Sequence, residues 1–224
     1  MASDHNHGDT VSRRDFFKTA GVASVATSIL TSAQAEAQGT GPQVFGPGEV
    51  PIRLTVNGQV RDLQVEPRTT LLDAVRDRLT LTGNKRVCDR GACGACTMIV
   101  DGRTVYSCST LAIDVQGKTI RTVDGLANGD TLHPVQRAFC ETDAMMCGFC
   151  TPGFVVATVA LLEKYPHATP EQTVRELNGN VCRCGTFNRV YEAARLAVGG
   201  GQAAGSGVPG DLAEAVVKSE VTRG

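Results

Sequence analysis

Nine cysteines constrain this chain more than any other feature. Cys88, Cys93, Cys96, Cys108, Cys140, Cys147, Cys150, Cys182 and Cys184 crowd into the middle of a 224-residue sequence. An odd count cannot close as a complete set of disulfides. Cys182 and Cys184 stand one residue apart, a gap that would strain a disulfide between them and is uncommon in structural zinc sites. The other spacings say more. Cys88, Cys93 and Cys96 form C-x4-C-x2-C with Cys108 further on, the plant-type pattern for a [2Fe–2S] cluster. Gly91, Ala92, Gly94 and Ala95 let the backbone wrap closely there and point N–H groups at the sulfurs, which sets the reduction potential. Cys147-x2-Cys150 and Cys182-x-Cys184 supply a second quartet.

The two quartets fall on different textures. Around the first, "IRLTV", Asn57-Gly58 and "QVRDLQV" read as a hairpin. "TTLLDAVRDRL" places Leu71, Leu72, Val75 and Leu79 at helical spacing, with Thr69 or Thr70 as cap. "TMIV", Asp101-Gly102 and "RTVYS" make a second hairpin, and "TIRTV" a last strand. The expected fold is a small mixed sheet with a helix across it, a β-grasp over residues 51–125. Residues 126–198 read as four short helices. "TLHPVQRAFCETDAM" is the first. "TPGFVVATVALLEKY" is the second, with Thr151 as N-cap and Pro152 at the first helical position. "TPEQTVRELNG" has Thr169 and Gln172 as a capping box and Gly179 as its stop. "NRVYEAARLAV" is the last. The fold class is α+β.

Both pairs of the second quartet then precede helix N-termini, where free N–H groups and the helix dipole favour a thiolate cluster. The short gap suits Cys182 and Cys184 reaching one iron from a tight turn, with Gly185 freeing the backbone. Cys147 and Cys150 would hold the other iron of a second [2Fe–2S] centre. Cys140, inside the first of these helices, is expected to be a buried free thiol.

The N-terminus is an address. Arg13 and Arg14 sit in S-R-R-x-F-x-K ahead of a weakly apolar stretch and the small residues "AQA". This is an export signal, residues 1–35, of the twin-arginine type. It predicts a periplasmic destination and a cofactor inserted before export. Gly- and Pro-rich residues 36–50 read as a linker, and residues 199–224 as a Gly-rich tail.

A net charge of −1, 4% aromatic residues and no Trp remove the footprint of a nucleic-acid binder. No apolar run is long enough to span a membrane.

"CDRGACGACTMIVDGRTVYSC" and "MCGFCTPGF…GNVCRCG" resemble the iron–sulfur subunit of the molybdenum hydroxylases, the xanthine dehydrogenase and aldehyde oxidase family. The likeness covers residues 51 to 197, and the signal is similar to that of periplasmic aldehyde oxidoreductase small subunits. The resemblance implies a ferredoxin-like domain followed by a four-helix domain. Cys147, Cys150, Cys182 and Cys184 would hold an inner cluster beside the molybdopterin of a separate large subunit, with Cys184 against the pterin. Cys88, Cys93, Cys96 and Cys108 would hold an outer cluster facing a FAD-binding subunit or a cytochrome acceptor. Family members often carry Gln just before the first cysteine of the helical motif, where it contacts the pterin. Met146 stands there instead, and a thioether is only a weak acceptor.

The implied activity is electron transfer for a molybdenum-dependent oxidation of an aldehyde or N-heterocycle, with no substrate site on this chain. Lys85, Arg86 and Arg90 read as surface charges beside the outer loop or as a steering patch for an acidic acceptor, and Arg183 as facing a partner. Three rivals use the same residues: a freestanding two-cluster carrier, a zinc module on Cys93, Cys96, Cys147 and Cys150, and a disulfide-stapled domain. The zinc module leaves C-x4-C and C-x-C unexplained. The disulfide domain conflicts with the odd count.

Overall fold

The computed structural model describes residues 44–199. The export signal with Arg13 and Arg14, most of the linker and nearly all of the C-terminal tail lie outside the described residues.

Strand β1 (Val50–Val56) turns through Asn57 and Gly58, both at positive φ, into antiparallel β2 (Gln59–Val65). Two consecutive left-handed residues give the turn whose twist matches the flanking strands. β3 (Thr97–Val100) and β4 (Arg103–Tyr106) repeat the device across Asp101-Gly102. β5 (Thr119–Arg121) runs parallel to β1 and antiparallel to β3, so the five-stranded sheet has the order β2-β1-β5-β3-β4.

Helix α1 (Leu71–Asp73) starts at Thr70, whose hydroxyl accepts from the N–H of Asp73 at 3.1 Å. It continues over Ala74–Arg78 as a π-turn, closed by Leu79 N–H on the Ala74 carbonyl at 3.2 Å. Leu71, Leu72, Ala74 and Val75 are sealed against Leu54, Val65, Met98 and Ile120, which explains the apolar spacing read in the sequence. Arg76 lies in this widened turn. Its guanidinium donates to the carbonyls of Thr82 and Asn84 at 2.8 and 2.6 Å and shapes the loop that follows.

Four helices follow: α2 (Pro134–Glu141), α3 (Thr151–Lys164), α4 (Pro170–Leu177) and α5 (Phe187–Val198). The Thr169–Gln172 capping box forms as the sequence predicts. At α3 the expectation shifts by one residue. Cys150 is already helical at φ −84°, ψ −21°, and its carbonyl accepts from Phe154 at 3.1 Å. Cys150 is therefore the N-cap, and Thr151 and Pro152 are the first two helical residues.

β3 joins the two cores. All four of its residues are buried. Met98 and Val100 belong to the core under α1, and Ile99 packs with Val155, Val159 and the other helices. A strand covered on both faces reads as a continuous apolar run, as "TMIV" does. Arg121 of β5 adds a two-pronged ion pair to Glu163 of α3 at 2.6 and 2.5 Å.

Candidate metal centres

The first quartet is built by one loop and one turn. Cys88, Cys93 and Cys96 come from the loop entering β3, and Cys108 from the single turn Ser107–Ser109 that leaves β4. Asn84, fully buried, ties the start of that loop down. Its amide donates to the Thr97 carbonyl at 2.5 Å and accepts from the Val123 N–H at 3.2 Å. Backbone N–H groups do aim at sulfur. Gly91 donates to Cys108 at 3.2 Å and Ala92 to Cys88 at 3.4 Å. Burial by itself would raise the Cys88 thiol, but the N–H groups of Arg90 and Ala92, with Cys93, bring it down to about 6. Burial and neighbouring Cys96 push Cys108 up to about 11.

The second quartet sits between helix ends. Cys147 lies in the turn after α2 and Cys150 caps α3, while Cys182 and Cys184 lie in the turn between α4 and α5. Phe154 and Phe187, each just past a cysteine pair, meet edge to face with centroids 6.0 Å apart. Arg189 of α5 holds Asp143 by both its carboxylate and its carbonyl, anchoring the turn that carries Cys147. The Thr186 hydroxyl lies 3.0 Å from the Cys182 sulfur and its N–H donates there at 3.5 Å. Against the burial that would raise it, these contacts lower Cys182 to about 7, while burial beside Cys182 pushes Cys150 up to about 12.

Thiols from the two turns lie close enough to perturb one another. Cys147 interacts with Cys184 and Cys150 with Cys182, so each pair takes one sulfur from each turn. In the first quartet Cys88 pairs with Cys93 and Cys96 with Cys108. The reason is burial. Cys182 points inward to Thr186 while Cys184 lies exposed, so the two diverge and each finds the cysteine at its own depth. Among the described residues no three Cys, His, Asp or Glu side chains converge as one ion would require. Sulfurs arriving in pairs suit a two-iron cluster held by two cysteines per iron. Cys93 and Cys96 lie in the loop entering β3 and Cys147 and Cys150 beside the start of α3, and among the described residues they do not converge as a single-ion set.

One expectation is corrected. Cys140 is exposed, not buried. Val135, Ala138 and Phe139 turn inward on α2, and the next residue falls on the outer face. Arg86 is bound by Asp73 and Asp77. Lys85 donates to the Thr82 carbonyl at 2.9 Å and Arg90 to the Cys88 carbonyl at 3.1 Å. These cations brace the loop. Arg183 is exposed, with no ion-pair partner among the described residues. Met146 is 68% exposed, and Met145, Phe149 and Val181 are more than half exposed, so exposed apolar side chains flank the exposed Cys147 and Cys184 along both turns.

The two quartets also meet each other, which sequence reading missed. Val181, next to Cys182, donates its N–H to the carbonyl of Cys93 at 2.9 Å. Tyr106 donates its hydroxyl to the Gly179 carbonyl at 2.7 Å. Only chain neighbourhood to a cysteine marked these residues, and that does not reveal a contact across the fold.

Residues 54–127 match the family model described as a 2Fe-2S iron-sulfur cluster binding domain, and residues 122–195 the one described as a [2Fe-2S] binding domain. The aldehyde oxidoreductase iron-sulfur-binding subunit of Escherichia coli K12 is 36% identical over 208 residues, covering 86% of this chain and 90% of that protein. The chain belongs to the iron–sulfur small subunits of the xanthine dehydrogenase and aldehyde oxidase family. The nicotine 6-hydroxylase small subunit of Paenarthrobacter nicotinovorans is 45% identical over 150 residues, 67% of this chain and 90% of its own. Among solved structures, quinoline 2-oxidoreductase from Pseudomonas putida 86 superposes with a TM-score of 0.65 at 38% identity, covering 67% of this chain and 93% of that one. The aldehyde oxidoreductase of Desulfovibrio gigas gives 0.64 at 35% identity over 66% of this chain and only 17% of that one. In that member of the family the small-subunit fold is a minor part of a longer polypeptide.

Proposed function

We propose that this chain is the electron-transfer subunit of a molybdenum-dependent oxidoreductase acting on an aldehyde or an N-heterocycle. It takes electrons from a molybdopterin centre in a large partner subunit and delivers them to a FAD-binding subunit, a cytochrome or another acceptor. Two [2Fe–2S] clusters, when bound, supply the one-electron redox chemistry. Cys147, Cys150, Cys182 and Cys184 hold the inner one and Cys88, Cys93, Cys96 and Cys108 the outer one. The N-terminal unit, residues 51–125, is a ferredoxin-like β-grasp, and residues 126–198 form a four-helix cluster-binding domain.

The observation that carries this reading is the exposure of Cys147 and Cys184 together with that of Met145, Met146, Phe149 and Val181 on the same two turns. Large exposed apolar groups gathered in one patch mark a surface meant to be covered. A ligand sulfur on the same turns puts the redox group against whatever covers it. We assign the patch to the large subunit, with Cys184 and Met146 toward the pterin. Residues 1–35 with Arg13 and Arg14 direct the loaded protein to the periplasm by the twin-arginine route, 36–50 are a linker, and 199–224 a tail.

The test is paramagnetic resonance on the anaerobically reduced protein, with iron, sulfide and zinc assayed on the same sample. Two distinct signals and about four irons per chain are expected, and Cys88→Ser should remove one signal and leave the other. A colourless, silent protein holding zinc would overturn the reading.

A further inference from the structure

Asn180 is a buried polar residue, 6% exposed, that bonds to no cysteine sulfur. It immediately precedes Val181 and Cys182. Its amide nitrogen donates to the carbonyl of Gly94 at 2.9 Å and reaches the Thr97 hydroxyl at 3.3 Å. The Gly94 carbonyl also accepts from the Thr97 N–H at 3.0 Å and from the Thr97 hydroxyl at 2.6 Å. Three donors thus converge on the carbonyl just after Cys93. Two come from Thr97 at the start of β3 and one from the turn that carries Cys182 and Cys184 of the other quartet.

Sterics fix the same approach. A Cβ on Gly94, which sits at φ +70°, would stand 2.6 Å from the Asn180 amide and 2.7 Å from the Gly179 carbonyl. A Cβ on Gly153, three residues after Cys150, would stand 2.2 Å from the Gly94 carbonyl. The two loops touch backbone to backbone only because neither position carries a side chain.

We propose that Asn180 is a positioning residue that holds the two cysteine quartets at a fixed spacing across the Cys93 carbonyl–Val181 N–H bridge, and so sets how strongly the two redox centres couple. The inference rests on the electron-transfer reading above. Coupling between redox centres falls steeply with separation, so a residue that fixes the spacing governs transfer without touching either centre. Removing the amide donor leaves the Gly94 carbonyl its two Thr97 partners. The outer loop then keeps its own fold and loses the side-chain tie that braces the Val181–Cys93 bridge, while the Val181 and Tyr106 bonds to it remain. The effect should therefore appear in coupling and not in cluster loading.

Asn180→Asp keeps the shape and replaces the donor NH2 by an acceptor oxygen, and Asn180→Ala removes the group. Both are compared with wild type as full chains purified with their partners. Iron per chain and each centre's midpoint potential are measured. Resonance spectra are taken half reduced, with one centre paramagnetic, and fully reduced, where two paramagnetic centres split each other's signals. The expected result is full iron and both signals in the half-reduced samples, with the splitting of the fully reduced state diminished or lost in both variants. Unchanged splitting at full loading would overturn the proposal. So would loss of either signal in Asn180→Asp, because Asn180 would then belong to the housing of a centre, and so would a wild type without splitting. A wild type lacking two signals would instead overturn the electron-transfer reading itself.

Discussion

Gly153→Ala offers a test whose sign is diagnostic. Replacing Gly by Ala within a helix ordinarily stabilises it, by up to about 1 kcal/mol. At Gly153, in the first turn of α3, the added Cβ would stand 2.2 Å from the Gly94 carbonyl and 3.0 Å from the Ala95 Cα. Both obstacles are backbone, and the carbonyl is held by three donors, so no side-chain rotation relieves the overlap. Weak carbon-to-oxygen contacts settle near about 3.3 Å, so the start of α3 must move by about 1 Å. Overpacking on this scale costs about 1–3 kcal/mol and outweighs the propensity gain. For a protein of this size each kcal/mol moves Tm by about 2–4 °C, so a drop of several degrees is expected. The assay is a thermal melt followed by visible cluster absorbance and far-ultraviolet circular dichroism. Gly199→Ala is the control, because the nearest atom to its Cβ is 3.6 Å away. A Gly153→Ala protein melting at or above wild type would refute the close-approach argument.

Cys140→Ala should leave both resonance signals intact, and Cys140 should react with a maleimide in the folded protein; loss of a signal would make it a ligand. The His133 cap should be pH-sensitive. Its Nδ1 accepts from the Val135 N–H at 3.2 Å, and burial lowers its pKa. The neutral form is therefore favoured in the fold. Its contribution, no more than about 1 kcal/mol as a cap, is full above the ordinary histidine range near about 6.5 and is lost as pH falls below it. The Tm difference between wild type and His133→Asn, whose cap cannot titrate, should shift against wild type from pH 8 to pH 5 (both about, spanning the ordinary value); a constant difference would refute this. Arg13 and Arg14 both changed to Lys should leave the protein in the cytoplasm, and normal export would refute the twin-arginine signal.

Periodicity and turn chemistry made the framework readable. Both hairpins, the Thr70 cap, the Thr169–Gln172 box and the four later helices stand where local pattern puts them. The cysteine spacing suggests the division into two quartets, because a wrapped loop needs short intervals and small residues. What stayed hidden depends on direction or on distant contact. Spacing cannot say that Cys182 and Cys184 point to different depths, nor that Cys140 falls one step beyond the inward face of α2. The π-turn over Ala74–Arg78 preserves the apolar periodicity well enough to look like plain helix. Asn180 and Gly153 matter through a loop more than fifty residues away in the chain, and nothing adjacent to them announces it.

The position of β5 has a consequence for the order of assembly. The two hairpins occupy opposite sides of the sheet and pair with each other only through this strand, which arrives after every ligand of the first quartet has been synthesised. A nascent chain that ends short of Thr119 therefore holds Cys88, Cys93, Cys96 and Cys108 all on the β3–β4 ribbon, which is not yet joined to the β1–β2 ribbon. Insertion of β5 by parallel pairing is a non-local, slow kind of step. The housing for iron is thus closed late, by a strand that contributes no ligand.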